Sequence, residues 1–140
     1  MMDHKYKTPK QIHQLLVGAA GRNTNLLLNV GPMPTGKIQP EFTDSLAVVG
    51  KWLEKNGRSI YGTRGGPVKP QTWGVTTENA GSVFIHLFQK PSEESLLIPG
   101  KFKKVSVLNG AVVKAKIEKE GMRILIADVP EGTQVLELIK

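Results

Sequence analysis

The sequence predicts an α+β chain, in which a helix–strand–helix unit of α/β type is followed by a small antiparallel β-sandwich. Three observations carry this. Two stretches with helical spacing, residues 9–20 and 40–55, flank a short run, residues 25–30, whose leucines leave no polar face. A passage rich in glycine and proline, with Gly62, Gly65, Gly66, Pro67 and Pro70, then interrupts the chain. Beyond it, short β-rich runs recur roughly every 8–12 residues with turn residues between them, the pattern of a sandwich. The expected units are residues 1–62 and 63–140.

Each element has a local reason. Thr8 suits an N-cap and Pro9 the first helical position. Ile12, Leu15, Leu16 and Ala19 form an apolar stripe with His13, Gln14 and Gly18 off it, and Gly21 supplies a stop. Leu26, Leu27 and Leu28 suit a parallel strand buried between layers. Gly31-Pro32 and Pro34-Thr35-Gly36 end it. The second helix begins at Pro40 or Glu41, with Phe42, Leu46, Val49 and Leu53 as its stripe, Trp52 at the margin and Asn56-Gly57 as its end. Glu41 and Asp44 lie near its start and Lys51 and Lys55 near its end, as the helix dipole favours. In the β-rich part, strands are expected over 73–77, 82–88, 96–98, 102–108, 111–118, 122–127 and 133–139. Asn109-Gly110 reads as a two-residue hairpin turn.

Composition narrows the function. The net charge of +7 raises nucleic acid as a partner, but the lysines are dispersed. Many alternate with apolar residues, as in Val113-Lys114-Ala115-Lys116-Ile117, which describes the solvent face of a strand. Phe, Trp and Tyr total eight, few for a base-stacking surface, so no nucleic-acid partner is expected. No run approaches the ~20 apolar residues of a membrane span. The absence of cysteine removes disulfides, thiolate metal sites and cysteine nucleophiles. His4, His13 and His86 fall on separate elements without metal-ligand spacing. No serine has a nucleophile-elbow context, and Gly62-Thr63-Arg64-Gly65-Gly66 matches no phosphate-binding loop. Neither metal nor cofactor is expected.

The phrases NLLLNVGPMPTGKIQPEF and WLEKNGRSIYGTRGGP carry a more specific signal. They resemble the end of the catalytic barrel in the α-L-fucosidases of glycoside hydrolase family 29. The resemblance equates LLLNVGP with the last barrel strand, residues 41–56 with the last barrel helix, and GRSIYGTRGGP with the passage into a C-terminal β-sandwich. It implies a short α/β remnant of a (β/α)8 barrel, and a parent that hydrolyses terminal α-L-fucosyl linkages with retention. Such chemistry needs two carboxyl groups, roughly 5–5.5 Å apart. In the family both lie upstream of the matching segment, so no catalytic residue is assigned, and the chain is expected to be inactive alone. Asp3, Glu41 and Asp44 read as structural.

Asn29 is the one candidate substrate-binding residue, because polar residues at the C-terminal ends of barrel strands form active-site walls. His4 and Tyr6 are further candidates for the rim. Trp73, at the start of the sandwich, is expected in the seam between the two units, where its large area would be buried. The expected partner is the remainder of the catalytic barrel, with fucosylated glycans met through the parent only. The open edges of residues 25–30 make homo-oligomer formation a further expectation. The resemblance also suggests a bacterial parent, periplasmic or secreted. The alternative is a stand-alone carbohydrate-binding or structural β-sandwich module.

Overall fold

The computed structural model describes residues 6–140; Asp3 and His4 lie outside the described residues. The first helix, α1, spans Pro9–Gly21 and opens with a complete capping box. Thr8 Oγ1 accepts from the Gln11 amide at 3.2 Å, and Gln11 Oε1 accepts from the Thr8 amide at 2.8 Å. The second helix, α2, spans Pro40–Asn56 and runs into a single 3₁₀ turn at Gly57–Ser59. Nine strands follow: β1 (Arg64–Gly65), β2 (Gly74–Glu78), β3 (Ser82–Leu87), β4 (Ser95–Pro99), β5 (Lys104–Val107), β6 (Val112–Val113), β7 (Ala115–Ile117), β8 (Gly121–Leu125) and β9 (Val135–Ile139).

They build two antiparallel sheets, one of six strands in the order β1-β2-β3-β9-β5-β6 and one of three in the order β4-β8-β7. Strand alternation sends Val83 and Ile85 of β3, and Leu136 and Leu138 of β9, into the main core with Leu96, Ile98, Met122 and Ile124 of the smaller sheet. The opposite face of the larger sheet carries Phe84 and Val135, which cluster with Leu108 and Trp52 of α2. The result is three layers: helices, large sheet, small sheet. This is the mixed α+β architecture the sequence predicts.

Several local expectations are corrected. The segment 25–30 joins no ladder, although its burial still alternates as in a strand. A strand exists through its partners, and no other part of the described chain offers a parallel edge. Leu27 is 93% exposed. The helix stripes are also incomplete. Ile12, Val17 and Gly18 are buried on α1 and Val49 alone on α2, whereas Leu15, Leu46 and Val48 are exposed. Two apolar faces were written into these helices, and only one meets the sheet.

The run 111–118 is not one strand. It breaks at Lys114, so that β6 pairs with β5 in the large sheet and β7 with β8 in the small one. A single edge segment thereby crosses between sheets, a corner that period-two alternation does not reveal. The β5–β6 connection has three residues, Leu108 to Gly110, because Val107 donates its amide to the Ala111 carbonyl. Leu108 is buried in the helix-side cluster, which displaces the expected two-residue turn. Trp73 lies in the core between the sheets, not in the seam with the helices; Trp52 occupies that seam. Among the described residues no helix is long and apolar enough to cross a membrane.

The helical layer approaches the large sheet closely at one point. A Cβ on Gly21 would stand 2.5 Å from the Val75 Cβ of β2. Gly21→Ala is therefore expected to lift the end of α1 and lower stability by about 1–3 kcal/mol, the usual cost of overpacking. Urea unfolding followed by tryptophan fluorescence checks this.

Candidate functional site

Two regions carry polar groups in defined geometry. The first surrounds the end of residues 25–30, where Asn29 is exposed. The loop beyond it is tied to itself. Pro32 and Ile38 form an isolated antiparallel bridge, Met33 donates its amide to the Lys37 carbonyl at 2.8 Å, and Gly36 donates to the Met33 carbonyl at 2.8 Å. Gly36 has φ 78°, which a side-chain-bearing residue adopts at a cost. The chain thus presents Asn29 beside a preformed turn, with no carboxylate at the end of the segment. Glu41 lies in the first turn of α2 and Asp44 is exposed on the same helix. Tyr6 packs edge-on against Phe42 at 5.2 Å, so α2 takes up its ring.

The second region is the seam between the helices and the large sheet. Glu137 of β9 is buried and accepts a bidentate pair from Arg58, Nη1 to Oε1 at 2.7 Å and Nη2 to Oε2 at 2.6 Å. Ser82 Oγ donates to the same carboxylate at 2.8 Å. Trp52 donates its indole N–H to Gln134 Oε1 at 2.8 Å. Asn109, held at φ 59°, donates Nδ2–H to the Lys55 carbonyl at 2.6 Å and so satisfies one of the last carbonyls of α2. The residue expected to make a turn thus also ties sheet to helix.

Thr77, Ser59 and His86 complete the seam. Thr77 Oγ1 lies 2.6 Å from the Ser59 carbonyl, which only accepts, so the hydroxyl donates there. His86 Nε2 lies 2.9 Å from Thr77 Oγ1, whose proton is already given to Ser59, and so donates to it. That assigns the neutral Nε2–H tautomer and leaves Nδ1 buried with no donor among the described residues. Burial pushes the His86 pKa down to about 4, against the Ser59 backbone, which raises it, and with the charge of His13 adding to the fall. His13 of α1 stacks edge-on against Trp52 at 4.2 Å, and its pKa is also lowered by burial. Sequence spacing put His13 off the packed stripe, because an imidazole scores as polar while its ring packs like an aromatic.

A groove of about 930 Å³ opens between the helices and residues 126–134, lined among others by His13, Val49, Trp52, Phe88, Asp128 and Gln134. Among the described residues no three His, Cys, Asp or Glu side chains converge as metal ligands.

Comparison with known proteins gives the lineage. The family model described as Alpha-L-fucosidase matches residues 1–58. The solved α-L-fucosidase isoenzyme 1 of Paenibacillus thiaminolyticus superposes with a TM-score of 0.81 at 30% identity, over 99% of this chain and 36% of that one. This chain is similar to the α-L-fucosidases. It corresponds to the C-terminal portion of the family's fold.

The tissue α-L-fucosidase of Rattus norvegicus is 30% identical over 142 residues, covering 91% of this chain and 29% of that protein. The α-L-fucosidase of Dictyostelium discoideum is 34% identical over 59% of this chain and 19% of its own length. A family 29 α-L-fucosidase of Bacteroides thetaiotaomicron shares the fold with a TM-score of 0.80 at 22% identity, over 97% of this chain and 32% of that one. The chain thus spans less than a third of the length of these curated relatives.

The Arg58–Glu137 pair yields a prediction. Arg58→Met leaves the Glu137 carboxylate buried with Ser82 as its remaining side-chain donor. Because Arg58 is half exposed, the expected loss is about 1–3 kcal/mol, below the cost of breaking a fully buried pair. Adding Glu137→Gln should recover part of it. A double-mutant cycle by chemical denaturation measures the coupling. In the same seam, Trp52→Phe removes the bond to Gln134 while keeping an aromatic ring. It is expected to cost about 1 kcal/mol, read from the same denaturation curves.

Proposed function

We propose that this chain is the C-terminal portion of a retaining α-L-fucosidase, supplying the last strand–helix unit of the catalytic barrel and the β-sandwich behind it. The observation that carries the reading is the segment 25–30, unpaired among the described residues and alternating in burial with Leu27 exposed, in a fold that matches a solved fucosidase along 99% of the chain. A parallel barrel strand has neighbours on both edges, and here both edges are open. The exposed Leu15, Leu46 and Val48 lie on the two helices that flank it in sequence. The boundary between the two units falls at the glycine-rich passage, dividing residues 1–62 from 63–140.

The role within that assembly is structural. The chain brings no catalytic pair; it closes the barrel and supports its flank through the seam. Asn29, at the end of the strand, reaches the pocket in the whole enzyme. The partner is the rest of the barrel, and terminal α-L-fucosyl glycans are met only through it. The reading as a free glycan-binding module is less well supported, because of Trp73, Phe84, Phe88 and Phe102, which a sugar-stacking face would need, only Phe88 is partly exposed.

Purified on its own, the chain is expected to give no turnover of an aryl α-L-fucoside; measurable hydrolysis would overturn the proposal. The amides of Leu26 to Leu28 should exchange rapidly in the isolated chain and become protected when the rest of a family barrel is supplied. Within an assembled active enzyme carrying this segment, Asn29→Ala is expected to lower kcat/KM by about tenfold, the weight of one good hydrogen bond in the transition state.

A further inference from the structure

We propose that Ser59, Thr77 and His86 form an acid-labile clasp between the helical layer and the large sheet. The inference concerns the seam and stands independently of the fucosidase reading. Its geometry is a relay with one proton direction. His86 Nε2–H donates to Thr77 Oγ1, whose own proton goes to the Ser59 carbonyl at the end of the helical layer. Ser59 is fully buried, Thr77 is fully buried and His86 is 1% exposed, so water does not substitute for any member. Protonation would leave the Nε2–H donor in place but bury a charge and put a second proton on Nδ1, which is buried without a partner, so the clasp favours the neutral ring.

The Ser59 backbone offsets part of that cost, and the charged and titratable groups around the ring do not. From α1, the charge of His13 acts on His86 and opposes protonation. From the turn after α2, Arg58 is committed to Glu137. From β9, Glu137 is occupied by Arg58 and Ser82. From β2, the neighbours are Val75 and Thr77, which do not titrate in this range, while Glu78 is drawn to Lys140. From α2, Trp52 lies against His13.

The sign follows from linkage. The folded-state pKa is lowered from 6.5 to about 4, so the neutral histidine's contribution is complete above 6.5. It is lost progressively as pH falls towards 4. The change from pH 7.5 to pH 4.5 corresponds to roughly a 50- to 100-fold fall in the closed-to-open ratio. His13, lowered in the same direction, adds to it. Opening of the clasp separates α1, α2 and the 3₁₀ turn from the sheet, whereas the core between the two sheets holds no histidine.

The experiment uses the full chain. Imidazole ¹⁵N spectra across pH 7.5 to 4.5 should show His86 as the neutral Nε2–H tautomer down to about pH 5. An Nδ1–H tautomer, or an imidazolium already present at pH 6, overturns the proposal. Amide exchange at pH 4.5 should accelerate in α1, α2 and Gly57–Ser59 before β3 and β9. Equal acceleration in all of them overturns it. His86→Gln keeps an N–H donor near Thr77 without titrating, and its acid-induced loss should be about 50- to 100-fold smaller than that of the unmodified chain. An unchanged acid profile overturns the proposal. Should that variant fail to fold, the tautomer and exchange readouts on the unmodified chain still decide.

Discussion

The large sheet is covered on both faces, and the rest of the structure depends on that. A six-stranded antiparallel sheet with one face on the small sheet and one on two helices has no solvent face in its central strands. Polar residues on β2, β3 and β9 therefore have to be satisfied within the protein. Thr77, Ser82, His86 and Glu137 are all buried, and each finds its partner in the seam or on the neighbouring strand. The main core between the sheets is built on apolar side chains, with buried Thr76 beside it bonded to the Val68 carbonyl. The seam holds the ion pair, the indole bond and the histidine relay, while Phe84, Leu108 and Val135 supply its apolar part.

This division gives the two interfaces different chemistry. The apolar core between the sheets is stabilised by burial that is insensitive to pH. The seam depends on charge states and on hydrogen bonds with defined donors, so it responds to protonation and to single substitutions in a way the core does not. It is also the surface through which the large sheet meets the helices. The sheet sets the position of α2 through Trp52, Arg58 and the Asn109 bond to the Lys55 carbonyl.

The helix–strand–helix part has the opposite character. α1 opens on a complete capping box, yet Leu15, Leu46 and Val48 face outward and residues 25–30 pair with no strand among the described residues. Local sequence is sufficient for an α-helix, because its hydrogen bonds close within the element. A β-strand closes its bonds on another segment, and a parallel strand needs two. The same chain therefore completes its helices and its antiparallel sheets while residues 25–30 find no strand partner among the described residues.

The sequence by itself determined the helix starts, through Thr8, Pro9 and Pro40, and the change from helical spacing to short β-rich runs. It also marked the Asn79 turn, where the side chain accepts from the Gly81 and Ser82 amides at 3.0 Å. These are local effects, set by residues a few positions apart. Tertiary structure decided the rest. It broke 111–118 at Lys114 into two sheets, sent Trp73 inward and Trp52 to the seam, and buried Glu137 and His86 in a strand whose alternation alone assigns them to one face. Those outcomes depend on which layer covers each face, and that is fixed by contacts between residues far apart in sequence, such as Arg58 with Glu137 and Trp52 with Gln134.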